Sequence, residues 1–439
     1  MSFSSFNLDP SLLRGVAGLG FTEPTPIQRD GIPPALEGRD LLACAMTGSG
    51  KTAAFALPIL QRLLGKKRGT TRALVLAPTR ELAAQIVEHF NDLGRHTGIK
   101  AAAVYGGVGM EPQQRALRSG ADVIVACPGR LLDHFQYPYA RLAGLEVLVL
   151  DEADRMLDMG FLPDIRRILK HLPPPAQTLF FSATLPPPIR ELSRQMLRNP
   201  VALNVERPAA PATGVRQAIY QVRQEVKSAL LLELLRRENA IQNALVFTRT
   251  KHRANRLAQF LVRQGIACER VHGNRSQAQR TEALAGFKNG RYRVLVATDI
   301  AARGIDVEGL SHVVNFDVPH VPEDYIHRVG RTARAGATGE ALTFVSPEET
   351  NELRAIERTV AKVLPRRTLD GFDYQARPAE RLEIPVAERL AAMRAQRSNG
   401  SAHARTDRRT PPSGRTAARP AGGSRSFRAS LPSRARTQR

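Results

Sequence analysis

Short unbroken apolar runs, spaced apart by helix-length segments, constrain this chain more than any other feature. RALVLAP (72–78), ADVIVACP (121–128), LEVLVLDEAD (145–154) and QTLFFSAT (177–184) show no polar alternation. A strand of that kind is buried on both faces, which requires helices on both sides of a parallel sheet. The pattern lapses at RPAAPATG (207–214), a Pro- and Ala-rich stretch that reads as a linker, and resumes at QNALVFTRT (242–250), RYRVLVATD (291–299) and LSHVVNFD (310–317). The expectation is an α/β chain of two tandem domains, 1–206 and 216–365, joined by a linker at 207–215. From 366 to 439 large apolar residues become scarce. That segment is expected to be disordered, because it cannot bury enough surface to offset its ordering entropy.

Charge narrows the partners. The 439 residues carry 64 Lys and Arg against 41 Asp and Glu, a net +23, while 42% hydrophobic residues suffice for ordinary cores. Residues 394–439 hold twelve Arg and one acid, Asp407, so almost half of the excess sits in about a tenth of the chain. A polyanion, nucleic acid ahead of a membrane surface, is the implied partner. Cys44, Cys127 and Cys268 are far apart without metal-ligand spacing and read as free thiols. No apolar run reaches membrane-spanning length, and MSFSSFNLDP lacks the pattern of a leader, so a cytoplasmic protein is expected.

Ala45-Met46-Thr47-Gly48-Ser49-Gly50-Lys51-Thr52 follows an apolar run and precedes a helical pattern. Glycines there let backbone N–H groups approach phosphates, Lys51 can reach the β/γ oxygens, and Thr52 can offer a hydroxyl to Mg²⁺. Ala45 stands where the usual phosphate loop has glycine, and the loop alone could also be a strand–helix turn. The run ending at Leu150 supplies what such a loop needs: Asp151 to hold Mg²⁺ and Glu152 to orient and deprotonate water. Two acids after a strand, taken alone, are as often a helix cap.

Asp151-Glu152-Ala153-Asp154 spells DEAD, and the chain resembles the DEAD-box RNA helicases of superfamily 2, with the bacterial RhlE-like proteins as the nearest subgroup. The resemblance rests on GFTEPTPIQ (20–28), AMTGSGKT (45–52), APTREL (77–82), GG (106–107), CPGR (127–130), DEAD, SAT (182–184), VFTRT (246–250), ATDIAARGID (297–306) and HRVGRTAR (327–334), in family order. The family's loop also begins with alanine. The resemblance implies two RecA-like domains, ATP and Mg²⁺ as cofactors, and RNA, single-stranded or in short duplexes, as partner.

It also implies roles. Gln28 would read adenine and Phe3 would stack on it, although Phe3 alone could also be a residue covering the core. Arg331 and Arg334 would be arginine fingers from the second domain, and Asp306 would contact the ribose. His327, Asp154, Ser182 and Thr184 would couple the γ-phosphate site to domain closure. Thr79, Arg80, Gly106, Gly107, Arg130, Arg249, Gly273, Gln277, Arg280 and Thr298 match the family's RNA-facing positions. Cys127 replaces the family's usual threonine and removes a hydroxyl, and Ala333 replaces a glycine.

The implied activity is RNA-stimulated ATP hydrolysis coupled to local opening of short duplexes. Two other readings remain at this point: a DNA-directed ATPase of the same superfamily, and an RNA chaperone acting mainly through the basic tail. That tail has one aromatic residue, Phe427, among its arginines, so it suits salt-sensitive phosphate binding better than base stacking.

Overall fold

The computed structural model describes residues 2–45, 48–65, 68–203, 214–237, 241–302, 310–332 and 338–376, except for the side chain of Ile300. The first lobe contains β1 (Leu41–Cys44), β2 (Ala73–Leu76), β3 (Ala101–Val104), β4 (Val123–Ala126), β5 (Val147–Leu150), β6 (Gln177–Ser182) and β7 (Val201–Leu203). The second contains β8 (Val215–Gln221), β9 (Ala244–Thr248), β10 (Cys268–Val271), β11 (Val294–Thr298), β12 (His312–Asn315), β13 (Gly339–Val345) and β14 (Arg366–Arg367). Each set forms one seven-stranded, wholly parallel sheet, ordered β3-β4-β2-β5-β6-β1-β7 and β10-β11-β9-β12-β13-β8-β14. Adding seven to each strand number of the first sheet gives the second.

The apolar runs behave as doubly buried strands must. Successive side chains point to opposite faces, so Val147 and Val149 pack with Phe55 and Phe90 in one core, while Leu148 and Leu150 pack with Ile165 and Ile168 in another. The second sheet repeats this, with Ala244 and Val246 on one face and Leu245 and Phe247 on the other. Helices start where the sequence supplies caps. Thr79 Oγ1 accepts from Leu82 N ahead of the helix Arg80–Leu93, and Ser276 and Gln279 form a reciprocal capping box at the helix Gln277–Lys288.

Of the expected linker, 207–213 lies outside the described residues, and Val215 already belongs to β8. At the other end, β14 pairs with β8, and Leu369, Phe372 and Tyr374 pack over the second-lobe core, continuing that lobe beyond residue 365. The expected tail lies outside the described residues from 377 onward.

Candidate nucleotide and RNA site

In a parallel sheet, loops leaving the carboxyl ends of the strands converge on one edge. After β1, Ala45 N bonds Ser182 O at 2.9 Å, tying the start of the phosphate loop to the end of β6. Gly50 then turns at φ +89° into the helix Lys51–Leu63. Its backbone requires glycine twice over, since a Cβ there would also lie 2.5 Å from Gln28 Nε2. Met46 and Thr47 lie outside the described residues.

Lys51 is buried, with Nζ 2.8 Å from Asp151 Oδ1 and 3.4 Å from Glu152 Oε1. Burial opposes its charge, but Asp151 and Glu152 outweigh it and hold the Lys51 pKa above the ordinary lysine value. Glu152 adopts φ +55°, a left-handed conformation unusual for a side-chain-bearing residue, at the point where β5 gives way to the helix Ala153–Asp158. Such strain concentrates at functional positions.

Gln28 braces the loop. Its Nε2 donates to Gly50 O at 2.9 Å, its Oε1 accepts from Thr25 N at 2.9 Å, and Thr25 Oγ1 donates to Ser49 O at 2.8 Å. One amide N–H and one lone pair of Gln28 remain for a base. Phe3 is buried against Phe6 and Phe21, with its ring 6.3 Å from Phe21 and nearly parallel to it.

The coupling residues assemble. Asp154 Oδ2 accepts from both Thr184 N and Thr184 Oγ1 at 2.9 Å, Ser182 Oγ accepts from Asp154 N at 3.1 Å and donates to Thr184 O at 2.7 Å. The second lobe faces this network: first-lobe Arg155 lines one small cleft with His327, Arg328 and Arg331. Burial foremost, then Arg155, pushes the His327 pKa down to about 3, so its imidazole is neutral at physiological pH. Arg331 is buried, whereas Arg334 and Asp306 lie outside the described residues.

The RNA candidates fall on the same edge. Arg130 Nη1 donates to Val108 O at 3.1 Å, fixing the turn that follows Gly106-Gly107. Gly107 turns at φ +80° directly under Arg80, where a Cβ would lie 1.9 Å from Nη1. Thr79 spends its hydroxyl as the helix cap described above. Gly273 is exposed, and Thr298 ends β11. Arg249 Nη2 donates to Glu349 Oε1 at 3.0 Å and to Val318 O at 3.2 Å.

Two groups of residues escaped the sequence reading. Glu81 bridges the lobes: its Oε2 lies 3.0 Å from Arg280 Nη2, and its Oε1 accepts from Gln277 Nε2 at 2.9 Å. Arg80 Nη1 also reaches Gln277 Oε1 at 3.4 Å. The sequence signal was present, since Glu81 sits inside APTREL. Arg328 forms a two-pronged pair with Asp299 at 2.6 and 2.8 Å and lies over the Phe247 ring. It builds the wall beside His327.

A cation fits the acidic corner. Asp151 is fully buried, its Oδ2 has no hydrogen-bond partner among the described residues, and burial raises its pKa despite Lys51. No group of three or more His, Cys, Asp or Glu among the described residues could hold a metal alone, so phosphate and water oxygens would have to complete the shell, the habit of Mg²⁺.

A phosphate loop with buried lysine and carboxylates on one lobe, faced by histidine and arginine from a second lobe of the same topology, is the architecture of a two-lobed P-loop nucleoside triphosphatase. The DEAD/DEAH box helicase family model matches residues 25–192, and the helicase conserved C-terminal domain matches residues 226–336. The DEAD-box ATP-dependent RNA helicase CshA of Bacillus cereus is 42% identical over 389 residues, covering 89% of this chain and 73% of its own length. CshA of Bacillus subtilis is 42% identical over 393 residues, covering 88% and 79%. Among solved structures, S. cerevisiae Dbp5 bound to RNA and ADP BeF3 aligns with a TM-score of 0.76 and 32% identity, over 83% of this chain and 95% of its own. The chain belongs to the DEAD-box ATP-dependent RNA helicase family.

Proposed function

We propose that this chain hydrolyses ATP when nucleotide and RNA hold its two lobes together, and that closure pries open short RNA duplexes locally. The observation that carries this reading is the convergence of Lys51, Asp151 and Glu152 on one buried point, with the Asp154–Thr184 network linking that point to the face of His327 and Arg331. Lys51 neutralises the β/γ-phosphates, Glu152 orients and deprotonates water, and Arg331 and Arg334 offset charge developing on the γ-phosphate. Asp151 and Thr52 would hold Mg²⁺, which supplies further charge neutralisation when bound. Gln28 and Phe3 face adenine, and Asp306 the ribose.

On the RNA side, Thr79, Arg80, Gly106, Gly107, Arg130, Arg249, Gly273, Gln277, Arg280 and Thr298 form the track, with Glu81 as the latch joining its halves. The division into 1–206, a linker at 207–215 and a second domain belongs to the same proposal, with the second domain extended to 376 by its packing. The Arg-rich segment 394–439 tethers RNA through phosphates in a salt-sensitive way. That segment also supports the RhlE-like placement, while the relatives compared above carry the name CshA. Among the described residues no helix is long and apolar enough to cross a membrane, in keeping with a cytoplasmic location.

Steady-state ATP hydrolysis with single-stranded RNA, with DNA of the same sequence and with neither tests the reading. A rise with RNA alone supports it. A rise with both turns it towards a general nucleic-acid motor. Equal rates in all three would leave RNA binding through the tail as the main activity.

A further inference from the structure

Two helices leave the RNA track and end on one aromatic surface. Met110–Arg118 begins just beyond Gly106-Gly107, and Pro128–Phe135 begins at the loop carrying Arg130. Where they end, Tyr137 and Tyr139 stack with ring centroids 5.4 Å apart and planes 10° from parallel. The Arg118 guanidinium lies 5.2 Å from the Tyr139 ring centre. Tyr137 is 49% exposed, so the stack of cation and two rings remains open to solvent at Tyr137. The adjoining groove, of about 510 Å³, is lined by Phe135, Pro138, Arg141 and His171 among others, and among the described residues no acidic side chain lines it.

The stack is anchored to the RNA track from beneath. The Tyr139 hydroxyl is 3.0 Å from Nδ1 of fully buried His134, whose Nε2 is 3.4 Å from Gln113 Oε1. Gln113 Nε2 donates to Tyr105 O at 3.1 Å and to Gly109 O at 3.0 Å, the two carbonyls that bracket Gly106-Gly107. A buried polar relay of this kind fixes orientation, because each unmade bond would leave a desolvated group. Two tyrosines merely covering a loop would not need an open face, a guanidinium and an acid-free groove together. Aromatic faces beside cations are how single strands are held without sequence preference.

We propose that Tyr137 is an accessory stacking platform for a base of single-stranded RNA that continues beyond the Gly106-Gly107 and Arg130 loops along the outer side of the first lobe. Arg118, Arg141 and His171 flank the passing phosphates. The nine-residue helix Met110–Arg118 sets the reach, about 13 Å from the loop, so only an RNA longer than the core track arrives there. The inference rests on the RNA reading of those two loops.

The test is fluorescence anisotropy of the full chain with two unstructured RNAs, one covering the core track alone and one several nucleotides longer. Tyr137→Ala is expected to weaken the longer RNA roughly tenfold and leave the shorter one unchanged, while Tyr137→Phe keeps wild-type affinity for both. Equal binding of the longer RNA by wild type and Tyr137→Ala overturns the proposal and leaves the aromatic face to a protein partner. An equal loss on both RNAs, or a Phe variant as weak as Ala, also overturns it. Arg130→Ala measured on the shorter RNA separates the two readings, since an unaffected affinity there would refute the track itself.

Discussion

The two lobes place a lysine at the same point of the same topology, and only one of those lysines follows a glycine-bearing loop. Lys51 opens the helix after β1, and Lys227 opens the helix Lys227–Arg237 after β8, the matching strand. Beyond β5 stand Asp151 and Glu152, and beyond the matching β12 stand Phe316 and Asp317. In the second lobe Lys227 Nζ bonds Glu349 Oε2 at 2.5 Å and Phe316 O at 3.0 Å. Glu349 also accepts from Val318 N, Ser346 N, Ser346 Oγ and Arg249. Asp317 pairs with Arg253 and accepts from Arg249 N at 2.8 Å.

These second-lobe charges are consumed internally, and the connection after β8 is a short turn, Gln224–Val226, without glycine. No phosphate cradle can form there. The first lobe instead keeps glycine at the turn and leaves Asp151 Oδ2 without a hydrogen-bond partner among the described residues. Burial is the leading influence on both lysines. Asp151, Glu152 and Asp154 outweigh it at Lys51 and raise that pKa, whereas Lys227, beside Glu349 and Asp317 but also the Arg253 guanidinium, is lowered. A shared fold therefore becomes a catalytic lobe or a responding lobe according to where its buried carboxylates are spent.

The largest expected effect is on Glu152. Glu152→Gln should lower RNA-stimulated ATP hydrolysis by roughly 10²–10⁴-fold while nucleotide still binds, as separate turnover and nucleotide-binding assays would show. Lys51→Ala should cost about 10²–10³-fold in turnover. Its twin sharpens the contrast: Lys227→Met removes one of the two cations paired with buried Glu349 and should remove about 3 kcal/mol of stability in urea unfolding, yet leave RNA-free turnover per folded molecule close to wild type. A Lys227→Met protein that is fully folded and catalytically dead would break the distinction between the lobes.

Gly107→Ala should weaken RNA binding several-fold by displacing Arg80, in an RNA titration of ATPase rate, without lowering the RNA-free rate. A further effect concerns pH. In the unfolded chain His327 takes up a proton near its ordinary pKa of 6.5, whereas in the folded chain it does so only at about pH 3. Its contribution to stability is therefore complete above about pH 6.5 and is lost progressively as pH falls toward 3. Thermal melts of wild type and His327→Gln across that range should differ in slope, the variant being flatter.

Local sequence carried much of this. The runs around Val75, Val149 and Val246 could be buried on both faces only in parallel sheets, because they offer no polar alternation. The loop at 45–52 and the acids at 151–152 named their chemistry through side chains that have few other uses in that order. Less legible were residues whose role depends on who faces them. Glu81 is one acid in a helical pattern until Arg280 and Gln277 arrive from the other lobe, some two hundred positions away. Gln28 stood out in the sequence as a candidate to read adenine, but its bracing of Gly50 and Ser49 through Thr25 required the folded loop.

By itself, then, the sequence determined the doubly buried strands, the phosphate loop and the acids that serve it, since these depend on periodicity and on chemistry within a few residues. Tertiary structure alone decided which of two equivalent lysines meets open carboxylates, that Glu81 bridges the lobes to Arg280 and Gln277, and that Tyr137 stands at the open end of a stack. Those outcomes depend on desolvation and on partners brought from distant segments, and neither is written in any local stretch of the chain.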